Sequence, residues 1–159
     1  MLIRNAKAGD AERIAEIWNA EIRNGVSTFN SVEKSIPEIE DQIQSRGAAF
    51  QVADHAGAVI GFATYFPFRN GIGYAFSKEH TIDLSPEARG TGAGRALMEA
   101  LLSVAKAEGV HSMMAGIAGE NTAGVRFHAA LGFNEVARLP EVGYKFNRRM
   151  DLILMQKFL

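Results

Sequence analysis

The stretch Arg89-Gly90-Thr91-Gly92-Ala93-Gly94 narrows the choice of fold more than any other part of the chain. A short apolar and β-branched segment (Thr81, Ile82, Leu84) runs into it, and an amphipathic helix opens directly out of it. Glycine reaches positive φ cheaply and carries no Cβ, so successive backbone N–H groups can converge on one anion. That anion would sit on the positive end of the helix dipole. Strand, glycine-dense turn and helix start, in that order, predict a pyrophosphate cradle within an α/β architecture.

The spacing says which cradle. A P-loop ends in Gly-Lys-Ser/Thr, where this chain has Gly94-Arg95-Ala96 and no Lys for a terminal phosphate. A dinucleotide fingerprint needs G-x-G-x-x-G, whereas these glycines run G-x-G-x-G. The next strand then ends Met114-Ala115-Gly116-Ile117 without an acid for a ribose. What remains is R-x-x-G-x-G/A, which resembles the acyl-CoA pyrophosphate loop of the GNAT acetyltransferases. The plain alternative is a glycine-rich turn that joins strand to helix and binds nothing.

With 159 residues and 47% hydrophobic content, the chain is sized for one domain spanning residues 1–159. A formal net charge of −1 without blocks of like charge gives no electrostatic footprint for nucleic acid or an anionic membrane, so neither partner is expected. There is no cysteine, hence no disulfide, thiolate nucleophile or Cys-based zinc site, and the four histidines show no H-E-x-x-H spacing. No metal is expected. The start Met1-Leu2-Ile3-Arg4 leads into an amphipathic pattern rather than an apolar leader, which makes a soluble cytoplasmic protein the expectation.

Periodicity orders the elements. A strand at Leu2–Asn5 precedes a helix with the apolar stripe Ala11, Ile14, Ala15, Ile17, Trp18 and Ile22. Ser35-Ile36-Pro37-Glu38 forms a capping box that starts a second helix, ending near Arg46 at Gly47. Phe50–Asp54 and Ala58–Phe66 read as a hairpin, Pro67–Tyr74 as loop and Glu79–Leu84 as the strand before the cradle. Leu97, Met98, Leu101, Leu102 and Ala105 then recur at helical spacing up to Gly109. A strand at Ser112–Ile117, a short helix at Asn121–Leu131, a strand at Phe133–Ala137 and an alternating strand at Arg148–Phe158 complete the chain. The order β-α-α-β-β-β-α-β-α-β-β implies a mixed sheet covered by helices on both faces.

In that order, the strand, the R-x-x-G-x-G turn with its helix, and Asn121 followed by His128-x-x-Leu131-Gly132-Phe133 resemble the GNAT fold over nearly the whole chain. More narrowly, Tyr74, Glu79-His80-Thr81, Asn121, His128 and the tail Val142-Gly143-x-Lys145-Phe146 with Asp151 and Met155-Gln156 are similar to the phosphinothricin and methionine-sulfoximine N-acetyltransferases. The resemblance implies a mostly antiparallel, twisted, mixed α/β sheet, acetyl-CoA as co-substrate, a small amino acid or analogue as acceptor, and a homodimer. It would lay the pyrophosphate on Arg89, Gly90, Thr91, Gly92, Ala93, Gly94 and Arg95, and the pantetheine amides on the backbone of Ile82, Asp83 and Leu84. Asn121 would reach the cofactor from the next helix. His128 stands where most GNAT enzymes carry Tyr, as in the narrower group. The chain departs from that group at Asn147 and Arg149, where Gly and Trp are usual, at Asp83, where an aromatic is common, and at Ala75.

Acetyl transfer from a thioester to an amine needs a neutral amine, donors for the oxyanion and a proton for the departing thiolate. An α-amine with pKa ~8 is mostly protonated at neutral pH, so a base raises its reactive fraction. Glu79 resembles the family's base; the bland reading is a solvated strand-end carboxylate. His80 points to the other side of a regular strand and reads as structural. His128 is the candidate acid, on condition that its surroundings hold or raise a pKa that starts near ~6.5; a histidine packed within the helix is the alternative. Strand backbone N–H groups would supply the oxyanion contacts. For the acceptor, the Phe66–Tyr74 loop with Trp18 and Ser27-Thr28-Phe29 offers apolar walls with polar points. Phe29, Ile72, Gly73 and Tyr74 are the expected lining, and Arg69 the expected carboxylate partner. Other readings are an acetylase of another small amine or of a protein N-terminus, and a non-catalytic acyl-CoA sensor.

Overall fold

The computed structural model describes all 159 residues. In chain order the elements are β1 (Leu2–Asn5), α1 (Ala11–Asn24), α2 (Ile36–Arg46), β2 (Phe50–His55), β3 (Ala58–Pro67), β4 (Ser77–Leu84), α3 (Ala93–Ala107), β5 (Ser112–Ala118), α4 (Thr122–Ala130), β6 (Asn134–Lys145) and β7 (Arg148–Phe158). This is the order that the periodicity implied. The strands make one sheet, β1-β2-β3-β4-β5-β7-β6. Every neighbouring pair is antiparallel except β4 and β5, which the α3 crossover makes parallel.

Local chemistry starts each helix. Ser35 Oγ accepts from Glu38 N at 3.3 Å while Glu38 Oε2 accepts from Ser35 N at 3.2 Å, so two of the amides that helix geometry orphans are satisfied at the head of α2. The apolar stripe of α1 is buried, and with α2 it covers Phe50, Val52 and Phe62 on one face of the sheet. Trp18 packs on Phe62 with ring centroids 4.8 Å apart. On the other face α3 buries Leu97, Met98 and Leu101 completely against Ala63, Met113 and Ile153. At about 1.5–3 kcal/mol for each such side chain, that anchoring holds the turn at the head of α3 in a fixed place.

The sheet opens where the site lies. β4 and β5 pair only over Ser77, Lys78 and Glu79 with Ser112, Met113 and Met114, although both strands run on. Past Glu79 the two strands have no common ladder. On its other edge β4 stays paired with β3 as far as Leu84. Ser77 O accepts from Phe68 N and Ser85 N donates to Ile60 O, so the odd-numbered residues of β4 give their amides and carbonyls to β3. Those of Ile82 and Leu84 therefore face the open side.

The boundaries differ in one instructive place. β6 does not stop near Ala137 but runs to Lys145, as half of a long hairpin with β7. Its register breaks twice, between Glu135 and Ala137 and between Leu139 and Gly143, with Glu141 at φ 55°. Those irregularities erase the two-residue alternation that marks a strand. The hairpin turns at Phe146-Asn147, both at positive φ, without the glycine that would have announced it. Smaller shifts carry β3 to Pro67, start β4 at Ser77 and place a 3-10 turn at Ile72–Tyr74.

Candidate active site

Two adjoining cavities meet at β4. One, of about 780 Å³, is bordered by Ile82 to Leu84, Arg89, Gly90, Gly92, Gly94, Arg95 and Phe127. The other, of about 490 Å³, is walled by Trp18, Lys34, Arg46, Phe66, Glu79 and His128. Ser27, Ile82, Asp83, Asn121 and Gly124 border both, so the two form a continuous passage across the opened sheet.

The first cavity is built for an anion. Gly92 is the N-cap of α3 at φ 89° with no side-chain cap, which leaves first-turn amides such as Gly94 and Arg95 pointing outward. No atom lies within 4 Å of a Cβ built on Gly92, so the surface above it is clear. Gly94 is different: a Cβ there would lie 3.2 Å from the Phe127 ring and 3.3 Å from Leu84, so its lack of a side chain lets α3 approach α4 and β4. Thr91 Oγ1 is tied to Ala88 O at 2.6 Å, and the Arg95 side chain to Glu99 and to Ala130 O. Arg95 borders the cavity, whereas Thr91 and the fully buried Ala93, both expected at the cradle, do not. Asn121 Oδ1 caps α4 by accepting from Gly124 N at 2.9 Å, while the residue borders both cavities.

Asp83 differs from its neighbours Ile82 and Leu84. Its backbone lies in the β3 ladder, so only its side chain is available, on the α1 side of the sheet. There, burial and then the Glu21 carboxylate push its carboxyl up to about 8, against Ser27, Arg89 and Lys145. Glu21 itself accepts from the amide and hydroxyl of Ser27, at 3.1 and 2.5 Å. Lys145, almost fully buried, donates to Gly25 O at 2.7 Å and Thr28 O at 2.9 Å. It thereby holds the segment after α1 as a wall of the passage.

Glu79 sits where the β4–β5 ladder ends. No hydrogen bond or ion pair engages its carboxylate, its Oε1 is 3.6 Å from a Cβ built on Gly116, and burial raises its pKa. A half-buried, unpaired carboxylate that holds protons more readily than usual is suited to take one from an amine.

His80 and His128 form a pair across the opposite face, with Nε2 atoms 3.1 Å apart and rings stacked at 5.1 Å. His128 Nδ1 lies 2.7 Å from Gly124 O. A carbonyl only accepts, so that Nδ1 bears a hydrogen; the Nε2 of the neutral His128 ring is then bare, and His80 Nε2 must donate to it. His80 Nδ1 is left without a hydrogen, and it is buried with no partner. Burial lowers the pKa of both rings, His80 to about 3 with His128 adding to the effect. The condition for His128 as a standing proton donor is therefore not met: at pH 7 the pair is neutral and the donor of His128 is engaged. The strand period did place His80 opposite Glu79, but the ring it meets there arrives from α4, 48 residues on.

The acceptor-side expectations divide. Phe29 borders a small recess with Glu79 and Gly116. Arg69, Ile72, Gly73 and Tyr74 do not enter the passage. They lie exposed on the β3–β4 loop, with the Arg69 guanidinium 5.9 Å from the Tyr74 ring centre and Ile72 95% exposed. Sequence reasoning missed Arg46, Gln42 and Lys34, which border the Glu79 cavity instead. Nothing local marks them, since polar side chains on α2 and in the segment that leads into it read as solvated.

Residues 12–133 match the acetyltransferase (GNAT) family. The chain is 34% identical to the L-methionine sulfoximine/L-methionine sulfone acetyltransferase of Salmonella typhimurium over 160 residues, 98% of this chain and 93% of that protein. A phosphinothricin acetyltransferase of Sinorhizobium meliloti, solved in complex with acetyl-CoA, superposes with a TM-score of 0.93 at 36% identity, covering 99% of this chain and 88% of that one. A ribosomal-protein-alanine N-acetyltransferase of Brucella melitensis gives 0.96 at 34% identity and full coverage of both chains.

Proposed function

The chain belongs to the GNAT acetyltransferase family, and from that premise we propose that it moves the acetyl group of acetyl-CoA to the α-amine of a small amino acid or analogue, such as methionine sulfoximine, methionine sulfone or phosphinothricin. One observation carries the reading. The unpaired edge of β4 and the uncapped start of α3 lie in one passage with a free, desolvated carboxylate at Glu79.

In this reading the diphosphate rests on the Gly90–Arg95 turn and the pantetheine amides on the exposed backbone of Ile82 and Leu84. The thioester then points toward Glu79. Glu79 removes a proton from the amine, whose lone pair attacks the thioester carbonyl. Outward-facing β4 amides stabilise the oxyanion until the C–S bond breaks, and the departing thiolate takes up the second proton, which the attacking nitrogen sheds. Placing the two reactants contributes up to ~7–11 kcal/mol, whereas an acid or base contributes ~10²–10⁴-fold. The cradle and strand edge therefore carry most of the rate. His128, fixed by Gly124 and His80, orders the thiol side rather than storing its proton.

The acceptor cavity is bounded by Trp18 and the clamped Ser27–Thr28 segment, which favours a small molecule over a chain. The likeness to the Brucella protein supports a protein N-terminus as the second reading. Exposed Val136, Val142, Tyr144 and Phe146 on the β6–β7 hairpin, at the sheet's edge, support a homodimer. No helix is long and apolar enough to cross a membrane; a cytoplasmic site belongs to the same proposal. The test is thiol release from acetyl-CoA with a panel of amino acids, their sulfur and phosphorus analogues, and alanine-initiated peptides. Turnover of free amino acids that falls ~10²–10⁴-fold in Glu79→Gln is the expected result. Turnover of peptides alone overturns the acceptor class, and acetyl-CoA binding without release from any amine returns the sensor.

A further inference from the structure

Arg46, at the end of α2, brings a guanidinium into the Glu79 cavity without a counter-ion. None of the chain's eight ion pairs includes it. Its one hydrogen bond runs from Nη1 to Thr64 Oγ1 at 3.1 Å, and its guanidinium carbon stands 5.3 Å from the Phe66 ring centre. Thr64 is paired with Thr81 and Phe66 with Glu79 in the β3–β4 ladder. The charge thus lies over β3, the strand whose Phe66 pairs with Glu79. Burial is the sole cause acting on its pKa, which it lowers; no carboxylate compensates. A partly desolvated cation with four of five N–H donors unused is costly unless something else supplies the anion.

A second orphan stands beside it. Gln42, one turn earlier on α2, borders the same cavity, and its Oε1 is buried without a partner. Lys34 lies 4.5 Å from the centre of the Trp18 ring in the same wall. The helix side of the cavity therefore carries Arg46, Lys34 and an open acceptor atom, while the β4 side carries the carboxylate of Glu79. That charge pattern is the complement of a zwitterion.

We propose that Arg46 is the specificity-determining residue for the acceptor: its guanidinium takes the α-carboxylate as a forked pair, Gln42 Oε1 accepts an N–H beside it, and the α-amine is thereby turned toward Glu79. This rests on the amino-acid acceptor proposed above. It transfers to α2 the role expected of Arg69, whose loop stands outside the passage. Arg suits the task because its planar fork matches a carboxylate and its charge survives desolvation.

The test compares methionine sulfone with 3-(methylsulfonyl)propan-1-amine, which has the same side chain and amine but no carboxylate. In Arg46→Met, KM for methionine sulfone should rise about 10- to 100-fold, the loss of charge-assisted hydrogen bonds. KM for the simple amine and calorimetric affinity for acetyl-CoA should stay as in wild type. Arg46→Lys keeps the charge and the fold but not the fork, and should fall between the two. An unchanged KM for the amino acid in both variants, or an equal rise for the amine without a carboxylate, overturns the assignment to Arg46. If the wild-type chain acetylates the simple amine but no amino acid, the acceptor class itself fails.

Discussion

Replacing Asp83 with Asn keeps the shape of the protonated acid and deletes its titration. In the folded chain the carboxyl is pushed up to about 8, whereas an unfolded Asp titrates near ~3.9. Between those values the folded state keeps a proton that the unfolded state gives up, so each unit of rising pH removes about 1.4 kcal/mol of stability. The contribution is complete below about pH 4 and is lost as pH rises to about 8. From pH 5 to 7 the two units give roughly 3 kcal/mol, discounted to about 1–3 because the side chain borders an open cavity. His80 works in the opposite sense. Its folded ring refuses a proton that an unfolded ring accepts below ~6.5, so its contribution is present above that value and is lost as pH falls toward about 3. In the wild-type chain these slopes oppose each other across pH 4–6.5. The charged groups that act on Asp83 are Glu21 from α1, Arg89 from the turn before α3 and Lys145 from β6, and all three remain in the variant. Urea unfolding followed by Trp18 fluorescence at pH 5, 6 and 7 should show Asp83→Asn gaining about 1–3 kcal/mol on wild type as pH rises. Parallel curves would refute a raised carboxyl at this position.

Gly92→Val should fold at a cost of about 1–2 kcal/mol, since φ 89° strains a β-branched residue while space for it is clear, yet it should lose acetyl-CoA binding in calorimetry. Wild-type affinity in that variant contradicts the cradle. His128→Phe leaves the His80 Nε2–H buried without an acceptor and should cost about 1–3 kcal/mol. It should also lower kcat with little change in acetyl-CoA affinity, and unchanged turnover would remove His128 from the mechanism. In a double-mutant cycle His80→Leu should recover part of the stability loss, and strict additivity would deny the pair.

The parts of this protein that could be read in its sequence are those whose cause lies within one turn of helix or a few residues of strand. Gly92 at a helix start, Ser35 with Glu38, and the stripe from Ala11 to Ile22 each carry a physical reason in their own neighbourhood. Glu79 was singled out by its resemblance to the family's base, and the structure adds that its carboxylate is unpaired and partly desolvated. What escaped depends on distant partners. The tautomers of His80 and His128 are set by Gly124 and by a contact across 48 residues. Arg46 gains its meaning only because Thr64 and Phe66 of β3 lie beneath it. Arg69 was favoured as a permanently charged, forked donor on the Phe66–Tyr74 loop, and that loop turns outward.

One strand explains why such chemistry fits so small a fold. The two-residue period of β4 sends Glu79, Thr81 and Asp83 toward the α1–α2 face, opposite Phe66, Thr64 and Phe62, and sends His80 and Ile82 toward the α3–α4 face with Tyr65 and Ala63. Its backbone alternates in the plane of the sheet, so the residues whose side chains face α3 and α4 are those whose amides face the opening. A thioester seated on Ile82 and Leu84 then has acids on one side and the histidine pair on the other, with no loop needed to bring them together. The arrangement holds only in one register, because a slip of a single residue would exchange the two faces and bury Glu79 among the α3 contacts. Seven ladder pairs to β3 keep that register, while release from β5 after Glu79 leaves the edge free. Strong pairing on one side and none on the other is therefore the condition for the site.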